Sequence, residues 1–205
     1  MHFSIIGVYI SLIILFLRYS GYLGIFSLMT LESMLLPIPS ELILPFAGYL
    51  VYRGNLNLIL AILAATYGGL CGSLIAYGIG YYGGRSFIIK FGKYIMLSEQ
   101  TLMAVEKWFK KYGSISVFFT RLVPIFRTFI SIPAGIGKMN IFKFTIYTTL
   151  GSLIWSILLV YLGYFLGKKW YVIFRFFDKL DYVIYALAIA VLIYLGYKIY
   201  KAWKK

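Results

Sequence analysis

The sequence lacks the residues on which much familiar chemistry depends. Cysteine and histidine each occur once, as Cys71 within an apolar stretch and as His2 near the start. A lone cysteine excludes an intramolecular disulfide and a thiolate metal cluster, and the lack of an internal imidazole excludes histidine triads, histidine metal sites and a histidine nucleophile. There is no GxxxxGK phosphate-binding pattern, which disfavours ATP-driven transport by this chain alone.

Charged residues, and acidic ones above all, are also scarce. Of the 205 residues, 13% are charged and 62% are apolar, whereas a soluble domain is about 25% charged. This balance predicts an all-α polytopic membrane protein. The 20 Lys and Arg outnumber the 6 Asp and Glu and give a net charge of +14. Because they lie between and after apolar runs, we expect them to meet anionic lipid head groups and not nucleic acid.

Six apolar runs organise the chain as one membrane domain. They cover approximately residues 3–17, 21–51, 58–82, 115–137, 144–166 and 182–199. A bilayer core requires about 20 helical residues. The third, fifth and sixth runs therefore predict membrane spans, and the first predicts a short helix. The second and fourth, here called the first and second broken runs, are interrupted.

The two broken runs contain every proline of the protein, and four ionisable residues lie among their apolar residues. These are Pro37, Pro39, Pro45, Glu32 and Glu41 in the first run, and Pro124, Pro133, Arg121 and Arg127 in the second. Proline interrupts the backbone hydrogen-bond ladder, and freed carbonyls at membrane depth are tolerated only inside protein or beside a wet cavity. We therefore predict re-entrant helical hairpins, broken at these prolines and at Gly135.

The order of features in the first half recurs after about 80 to 88 residues. The recurring features are Pro37 and Pro124, Ala47-Gly48 and Ala134-Gly135, and Gly80-Tyr81 and Gly163-Tyr164. The pattern predicts two inverted repeats, at 21–84 and 115–167, followed by a transmembrane helix at 182–199. Chance is the alternative, since glycine and proline are common in membrane helices. Paired proline-broken segments are the best sequence sign of a transporter's binding site.

A basic linker at 85–114 joins the two predicted repeats. Apolar residues recur at helical spacing after Ser98, which predicts an amphipathic helix on the membrane surface; a packing helix beneath the spans fits equally well. Most basic residues fall on one side if both broken runs are re-entrant, which places both termini and 83–114 in the cytoplasm. Full crossing would also leave this linker inside. Asn55, Asn57 and Asn140 are predicted to be turn or cap residues.

The acids of the first broken run are nine residues apart. On a continuous helix, Glu41 would be rotated by about 900° from Glu32, so the two carboxylates would occupy opposite faces. Burying an unpaired carboxylate costs several kcal/mol. We therefore expect the break at Pro37 and Pro39 to turn both carboxylates toward one polar cavity.

The arginines of the second broken run flank a proline. On a straight helix Arg121 and Arg127 would differ by about 120°, and a kink at Pro124 would let them converge. A guanidinium suits phosphate because its planar fork donates two parallel hydrogen bonds. Two interpretations stay open. The acids and arginines form either a structural ion-pair network or a site for an anionic head group, in which Glu32 and Glu41 serve proton coupling.

The two clusters together resemble the DedA family, membrane proteins also described as SNARE-associated or VTT-domain proteins. The resemblance covers about residues 21–167. It rests on Glu32 and Glu41 around a Pro-rich turn, and on Phe118-x-x-Arg121-x-x-Pro124-x-x-Arg127 leading to Pro133-Ala134-Gly135 and Met139. The first motif departs from the family pattern, since many members have Gly in place of Ser40, Asp in place of Glu41, and a longer turn.

The resemblance implies inverted repeats whose re-entrant hairpins bring the acids and arginines together in the membrane. Some members recycle the polyprenyl phosphate carrier of envelope synthesis, such as undecaprenyl phosphate. Others flip phosphatidylethanolamine, eukaryotic relatives scramble phospholipids, and several depend on the proton gradient. By this resemblance Arg121 and Arg127 bind phosphate, and Glu32 and Glu41 take part in coupling.

The favoured function is a lipid flippase of the cytoplasmic membrane, moving a phosphate-bearing lipid, with polyprenyl phosphate first and proton coupling expected. No cofactor, metal or enzymatic activity is expected. The first alternative is a phosphatidylethanolamine or general phospholipid flippase or scramblase, and the second is a structural membrane protein. A lipid phosphatase is disfavoured because the sequence offers no internal histidine or clustered Asp as a nucleophile.

Overall fold

The computed structural model describes residues 5–36, 38–91, 113–123 and 126–169. All regular elements in these ranges are helices, as the composition predicts. In chain order they are α1 (Ile5–Ser33), α2 (Ser40–Tyr52), α3 (Leu58–Phe91), α4 (Ser116–Arg121), α5 (Phe126–Phe129), α6 (Ser131–Ile136), α7 (Ile141–Leu166) and a 3-10 turn (Gly167–Lys169). Pro37, Pro124, the predicted amphipathic helix and the predicted span at 182–199 lie outside the described residues.

Within the described ranges, three helical stretches are long and apolar enough to cross a membrane: Ser11–Ser33, Leu58–Gly83 and Ile141–Lys169. The second and third contain the predicted spans at 58–82 and 144–166. Helix α1 is interrupted at Gly21. The predicted short first helix therefore corresponds to the part of α1 before Gly21, and the part after Gly21 belongs to the first broken run. Gly21 bends α1 with a left-handed backbone (φ 53°, ψ −125°), a conformation that glycine adopts at little cost.

Helix α3 exceeds its predicted bounds. The predicted basic linker begins at residue 85, but α3 continues to Phe91. Polar residues after Gly83 end the apolar run without ending the helix, since arginine, lysine and serine are all compatible with helical backbone. The first part of the predicted linker is therefore a continuation of helix α3 beyond the candidate span Leu58–Gly83.

The first broken run is interrupted between α1 and α2. The amide of Leu36 donates to the Leu31 carbonyl at 3.2 Å and that of Leu35 donates to the Glu32 carbonyl at 3.0 Å. This is a Schellman turn, with Leu35 at φ 73° where glycine is usual. Pro39 immediately precedes the first residue of α2, whereas Pro45 lies inside α2 and does not break it.

The second broken run is divided into three short helices, α4, α5 and α6, in place of the two predicted arms. Pro133 and Gly135 were predicted at a break but lie inside α6. Pro133 is tolerated there because it falls in the first turn, where a backbone N–H has no helical partner in any case.

The second helix of the first broken run packs against the long helix of the other half. A Cβ atom at Gly48 in α2 would overlap the Val160 carbonyl oxygen of α7, and one at Gly163 would overlap the Pro45 carbonyl oxygen. Both positions therefore require glycine for the two backbones to approach this closely.

The same contact recurs between α6 and α3. A Cβ atom at Gly135 would overlap the Tyr77 carbonyl oxygen, and one at Gly80 would overlap the Ile132 carbonyl oxygen. Each half thus contributes a short helix that fits against the long helix of the other half, through glycines at corresponding positions.

The helices that enter the two breaks also pack alike. Gly72 of α3 lies against Thr30 and Ser33 of α1, and Gly151 of α7 lies against Arg121 and the Phe118 carbonyl of α4. In both cases the contact is made by the last turn before the break. It fixes where that turn ends, and so where its polar side chains lie.

Both long helices begin with an asparagine cap. The Asn57 side-chain oxygen accepts hydrogen bonds from the amides of Ile59 and Leu60 at 2.9 and 3.2 Å. The Asn140 side-chain oxygen accepts from Phe142 and Lys143 at 3.0 and 3.2 Å. The predicted cap role of Asn57 and Asn140 is confirmed.

The main apolar core lies between α1, α2, α3 and α7. Its fully buried members include Leu17, Ile25, Leu42, Ile43, Leu44, Ala61, Ala65 and Val160. A smaller cluster joins α3, α4, α6 and the start of α7 around Tyr77 and Phe144. The Tyr77 hydroxyl donates to the Met139 carbonyl at 2.5 Å, so its polar end is satisfied inside this cluster.

Candidate functional site

Three of the four predicted ionisable residues converge on one cavity. Glu32 lies at the end of α1, Arg121 at the end of α4 and Arg127 in α5. The cavity is lined by Met29, Glu32, Ser33, Gly69, Arg121, Arg127, Thr128, Ser152 and Trp155, and has room for about one water molecule. Glu32, Arg121 and Arg127 are only 5%, 4% and 7% exposed.

Arg127 forms an ion pair across the two halves of the chain. Its Nη2 contacts the Glu32 carboxylate and also donates to the Ser40 hydroxyl. The second Glu32 oxygen accepts from Ser33 at 3.4 Å. The Trp155 ring centroid lies 5.2 Å from Arg127 Cζ, within cation–π range. Arg127 Nε is buried and has no hydrogen-bond partner among the described residues.

Arg121 is held in a different way. Its Nη2 donates to the Ser131 hydroxyl at 2.8 Å. Within the described residues no carboxylate pairs with Arg121, and its Nε has no hydrogen-bond partner. The buried guanidinium of Arg121 is therefore charged, and its hydrogen-bond acceptor among the described residues is a neutral hydroxyl.

The cavity consequently carries one positive charge more than it can neutralise. Two guanidiniums and one carboxylate line it, and a buried charge without a partner costs several kcal/mol. The remaining lining supplies hydroxyls from Ser33, Ser152 and Thr128, which can donate to an anion. No group of three potential metal ligands occurs in the part of the chain that the structure describes. The arrangement suits an anion with several oxygen acceptors.

Glu41 does not join this cavity, contrary to the expectation for the first broken run. It lies half-buried in the first turn of α2, close enough to Glu32 for like-charge repulsion. It has no ion pair with any residue that the structure describes. Because consecutive residues on a helix are about 100° apart, Ser40 and not Glu41 faces Arg127. The helix N-terminus stabilises the Glu41 carboxylate instead.

Sequence reasoning also missed three residues that hold the arginines: Ser40, Ser131 and Trp155. The sequence does not single out the two serines, because serine is common in membrane helices and its hydroxyl is easily accommodated there. Trp155 does carry one. Tryptophan is enriched where a span meets the membrane surface, but Trp155 lies near the middle of the span Ile141–Lys169.

The fold and the cavity define a class, a helical membrane protein with a buried charged site where two interrupted segments meet. Comparison with known proteins identifies the family. The family model of the VTT domain matches residues 38–165. Undecaprenyl phosphate transporter A of Bacillus subtilis (strain 168) is 43% identical over 80% of this chain and 81% of that protein. The chain belongs to the VTT-domain, or DedA, family, and the resemblance inferred from the motifs is confirmed.

Of two further relatives, one has the same name and the other a different one. Undecaprenyl phosphate transporter A of Staphylococcus aureus (strain NCTC 8325 / PS 47) is 34% identical, over 87% of this chain and 90% of that protein. An alkaline phosphatase-like protein of Lactococcus lactis subsp. cremoris (strain MG1363) is 39% identical, over 86% and 85%. No solved structure matches the chain. The three apolar helices and these membrane-protein relatives assign the chain to a membrane.

Proposed function

We propose that this protein moves a phosphate-bearing lipid across the cytoplasmic membrane, with a polyprenyl phosphate as the favoured substrate. The observation that carries the proposal is the buried guanidinium of Arg121, whose one hydrogen-bond partner in the described part of the chain is the Ser131 hydroxyl. A phosphate group would supply the missing negative charge and the missing acceptors. The names of two relatives, undecaprenyl phosphate transporter A, support a polyprenyl phosphate over other lipids.

The two arginines are suited to share one phosphate. Each has a buried Nε without a partner among the described residues, and each guanidinium can present two parallel donors to a phosphate. Arginine also stays charged when desolvated, which lysine does less reliably. Arg121 and Arg127 therefore bind the head group, while the lipid tail stays in the membrane.

The ion pair between Glu32 and Arg127 closes the site in this conformation. A cavity with room for about one water molecule cannot accept a phosphate. Glu32 belongs to α1 and Arg127 to α5, so moving the two halves apart would break the pair and enlarge the cavity. The phosphate then replaces the carboxylate as the partner of Arg127.

A proton can promote this exchange. Protonation of Glu32 removes one negative charge, which leaves two unneutralised guanidiniums in the cavity. A phosphate monoester carries between one and two negative charges near neutral pH, and so matches the protonated site better than the ion-paired one. Glu32 is thus the proposed coupling residue, and Glu41 affects coupling through its repulsion of Glu32.

The architecture proposed for this transport is a pair of inverted repeats with re-entrant hairpins. It is supported by the matching contacts of Gly48 with Val160 and of Gly135 with Tyr77. In such an arrangement the two hairpins enter from opposite membrane faces. We expect the linker and the C-terminal tail, which are rich in basic residues, to lie in the cytoplasm. With both hairpins re-entrant, the N-terminus would lie on the same side.

Reconstitution into liposomes tests the proposal. Labelled polyprenyl phosphate is placed in both leaflets, and its accessibility to an external reagent is followed with time. We expect the wild type to expose the inner pool without releasing phosphate, and Arg121→Gln to abolish this activity. Arg18→Gln, which changes an exposed arginine of α1, is the matched control.

The same experiment separates the alternatives. Release of inorganic phosphate would identify a phosphatase, and equal exposure of ordinary phospholipids would identify a general flippase or scramblase. A protein that does neither would be a structural component. The first and third results would refute the proposed function, and the second would refute polyprenyl phosphate as the favoured substrate.

An imposed pH gradient tests the coupling separately. The wild-type rate should change when the gradient is reversed, and Glu32→Gln should transport at a rate independent of the gradient because its side chain cannot exchange a proton. Glu41→Gln should shift this response without removing it. A gradient response that survives in Glu32→Gln would eliminate Glu32 as the coupling residue.

A further inference from the structure

Arg127 is held by two neutral groups in addition to its ion pair with Glu32. The Trp155 ring centroid lies 5.2 Å from Arg127 Cζ, and the indole Nε1 donates to the Ser40 hydroxyl at 3.4 Å. The same hydroxyl accepts from Arg127 Nη2. Since Trp155, Ser40 and Arg127 belong to α7, α2 and α5, these contacts join three separate helices around one guanidinium.

The position of Trp155 needs an explanation other than lipid contact. Tryptophan favours the membrane surface because its indole N–H seeks a polar partner while its ring prefers apolar surroundings. Trp155 lies instead near the middle of its span and lines the cavity. Its N–H is satisfied there by Ser40, and its ring face is satisfied by the guanidinium, an interaction that strengthens when it is shielded from water.

The neutral groups have a property that Glu32 lacks. A carboxylate that holds Arg127 also neutralises it and competes with an arriving anion. The Ser40 hydroxyl and the Trp155 ring can hold the guanidinium and leave its charge available. They are also the contacts that remain once a phosphate has displaced Glu32.

We propose that Trp155, acting together with Ser40, is the positioning residue that fixes the orientation of the Arg127 guanidinium when the ion pair with Glu32 is open. This inference rests on the proposed function, because the anion it prepares for is the lipid phosphate. Trp155 acts through Arg127 and does not bind the phosphate itself.

A double-mutant cycle on the full-length protein in nanodiscs tests this role. The probe is farnesyl phosphate, and farnesol reports binding of the tail alone. We expect Trp155→Leu to weaken farnesyl phosphate binding about tenfold and Trp155→Phe, which keeps a ring but loses the N–H, about threefold. Farnesol binding should not change. Phe165→Leu, on the same helix and 78% exposed, is the matched control.

The Arg127→Gln background decides between positioning and general packing. It abolishes the cation–π contact and leaves weaker binding through Arg121. If Trp155 acts through Arg127, then Trp155→Leu should have no further effect in this background, and Ser40→Ala should behave likewise. An equal loss in both backgrounds, or no loss in the wild-type background, would overturn the positioning role.

The side-chain NMR signal of Arg127 supplies a readout that needs no ligand. The indole ring shields protons near its face, so Trp155→Leu should shift the Arg127 Nε–H resonance and Phe165→Leu should not. An unshifted resonance would refute the positioning role. A wild-type protein that binds farnesyl phosphate no better than farnesol would refute the proposed function, and the NMR signal would still decide the role of Trp155.

Discussion

The first and second halves of the chain share their packing and differ in their chemistry. Gly48 meets Val160 as Gly135 meets Tyr77, and asparagine caps the long helix of each half. The side chains at the two breaks differ between the halves. Gly72 of one half lies against Ser33, whereas Gly151 of the other lies against Arg121. Residues that hold the helices together are thus repeated, and residues that carry charge are not.

This comparison separates the framework of the protein from its site. The first half contributes the carboxylate and the Ser40 hydroxyl, and the second contributes both guanidiniums. A site formed from two such halves is complete only when the halves meet. Substitutions at repeated positions should therefore affect stability, and substitutions at unrepeated positions should affect charge balance.

The largest expected effect comes from the two arginines. Arg127→Gln leaves the buried Glu32 carboxylate without its ion-pair partner and should lower the free energy of unfolding by about 3 to 5 kcal/mol. Arg121→Gln removes a charge whose only hydrogen-bond partner among the described residues is Ser131, so stability should be kept or raised while transport is lost. Unfolding in detergent micelles measures the difference.

A rescue variant completes this test. Glu32→Gln combined with Arg127→Gln removes both buried charges and should recover most of the stability that Arg127→Gln loses. Equal losses in the two single arginine variants would mean that Arg121 has a compensating partner after all.

The next largest effect comes from the repeated glycines. Gly80→Ala would drive a methyl group into the Ile132 carbonyl oxygen and should cost about 1 to 3 kcal/mol. Gly135→Ala should cost a similar amount, because it faces the Tyr77 carbonyl from the other side of the same interface. Gly78→Ala on the same helix meets nothing within 4 Å and is the control. Thermal unfolding curves that coincide for Gly78→Ala and Gly80→Ala would contradict the close approach.

A smaller effect is expected at the caps. Asn57→Ala and Asn140→Ala should each lower the free energy of unfolding by about 1 kcal/mol, because each leaves two amides without their acceptor. Asn55→Ala, two residues away and exposed, should change little. If one of these two cap variants unfolds like the wild type and the other is destabilised, the two caps contribute unequally to stability.

The smallest effect concerns the turns that end α2 and α6. The amide of Asn55 donates to the Leu50 carbonyl at 3.0 Å, and that of Met139 donates to the Ala134 carbonyl at 3.1 Å. The left-handed residue is Gly54 in the first half and Lys138 in the second. Lys138→Gly should therefore stabilise the protein by about 0.5 to 1 kcal/mol, and Gly54→Lys should destabilise it similarly. Opposite signs for the two changes in thermal unfolding are the expected result.

Hydropathy predicts the parts of the fold that are uniform over long stretches. The spans at 58–82 and 144–166 were recognisable because their apolar runs are uninterrupted. The bend at Gly21 inside α1 was not, because the sequence does not show which glycine of an apolar run takes a non-helical conformation. Three short helices in the second broken run were also beyond prediction, since their ends depend on contacts such as Gly151 with Arg121.

The site residues were predictable where an unpaired charge in the membrane would cost too much free energy. Glu32, Arg121 and Arg127 stood out because an ionisable group in an apolar run must be shielded from lipid. Glu41 satisfied the same criterion and still lies elsewhere, because the direction of its side chain depends on α2 beginning at Ser40. Ser40 and Trp155 lie 87 and 28 residues from Arg127 along the chain, and only the fold brings them together.

The exchange of short helices between halves has a consequence for biosynthesis. Helix α2 leaves the ribosome long before α7, yet Gly48 and Pro45 find their matching surface only on α7. During this interval the nascent first half has an unfilled face and an unpaired Glu32. The first half therefore completes its packing, and Glu32 gains its ion-pair partner, only after the second half has been synthesised.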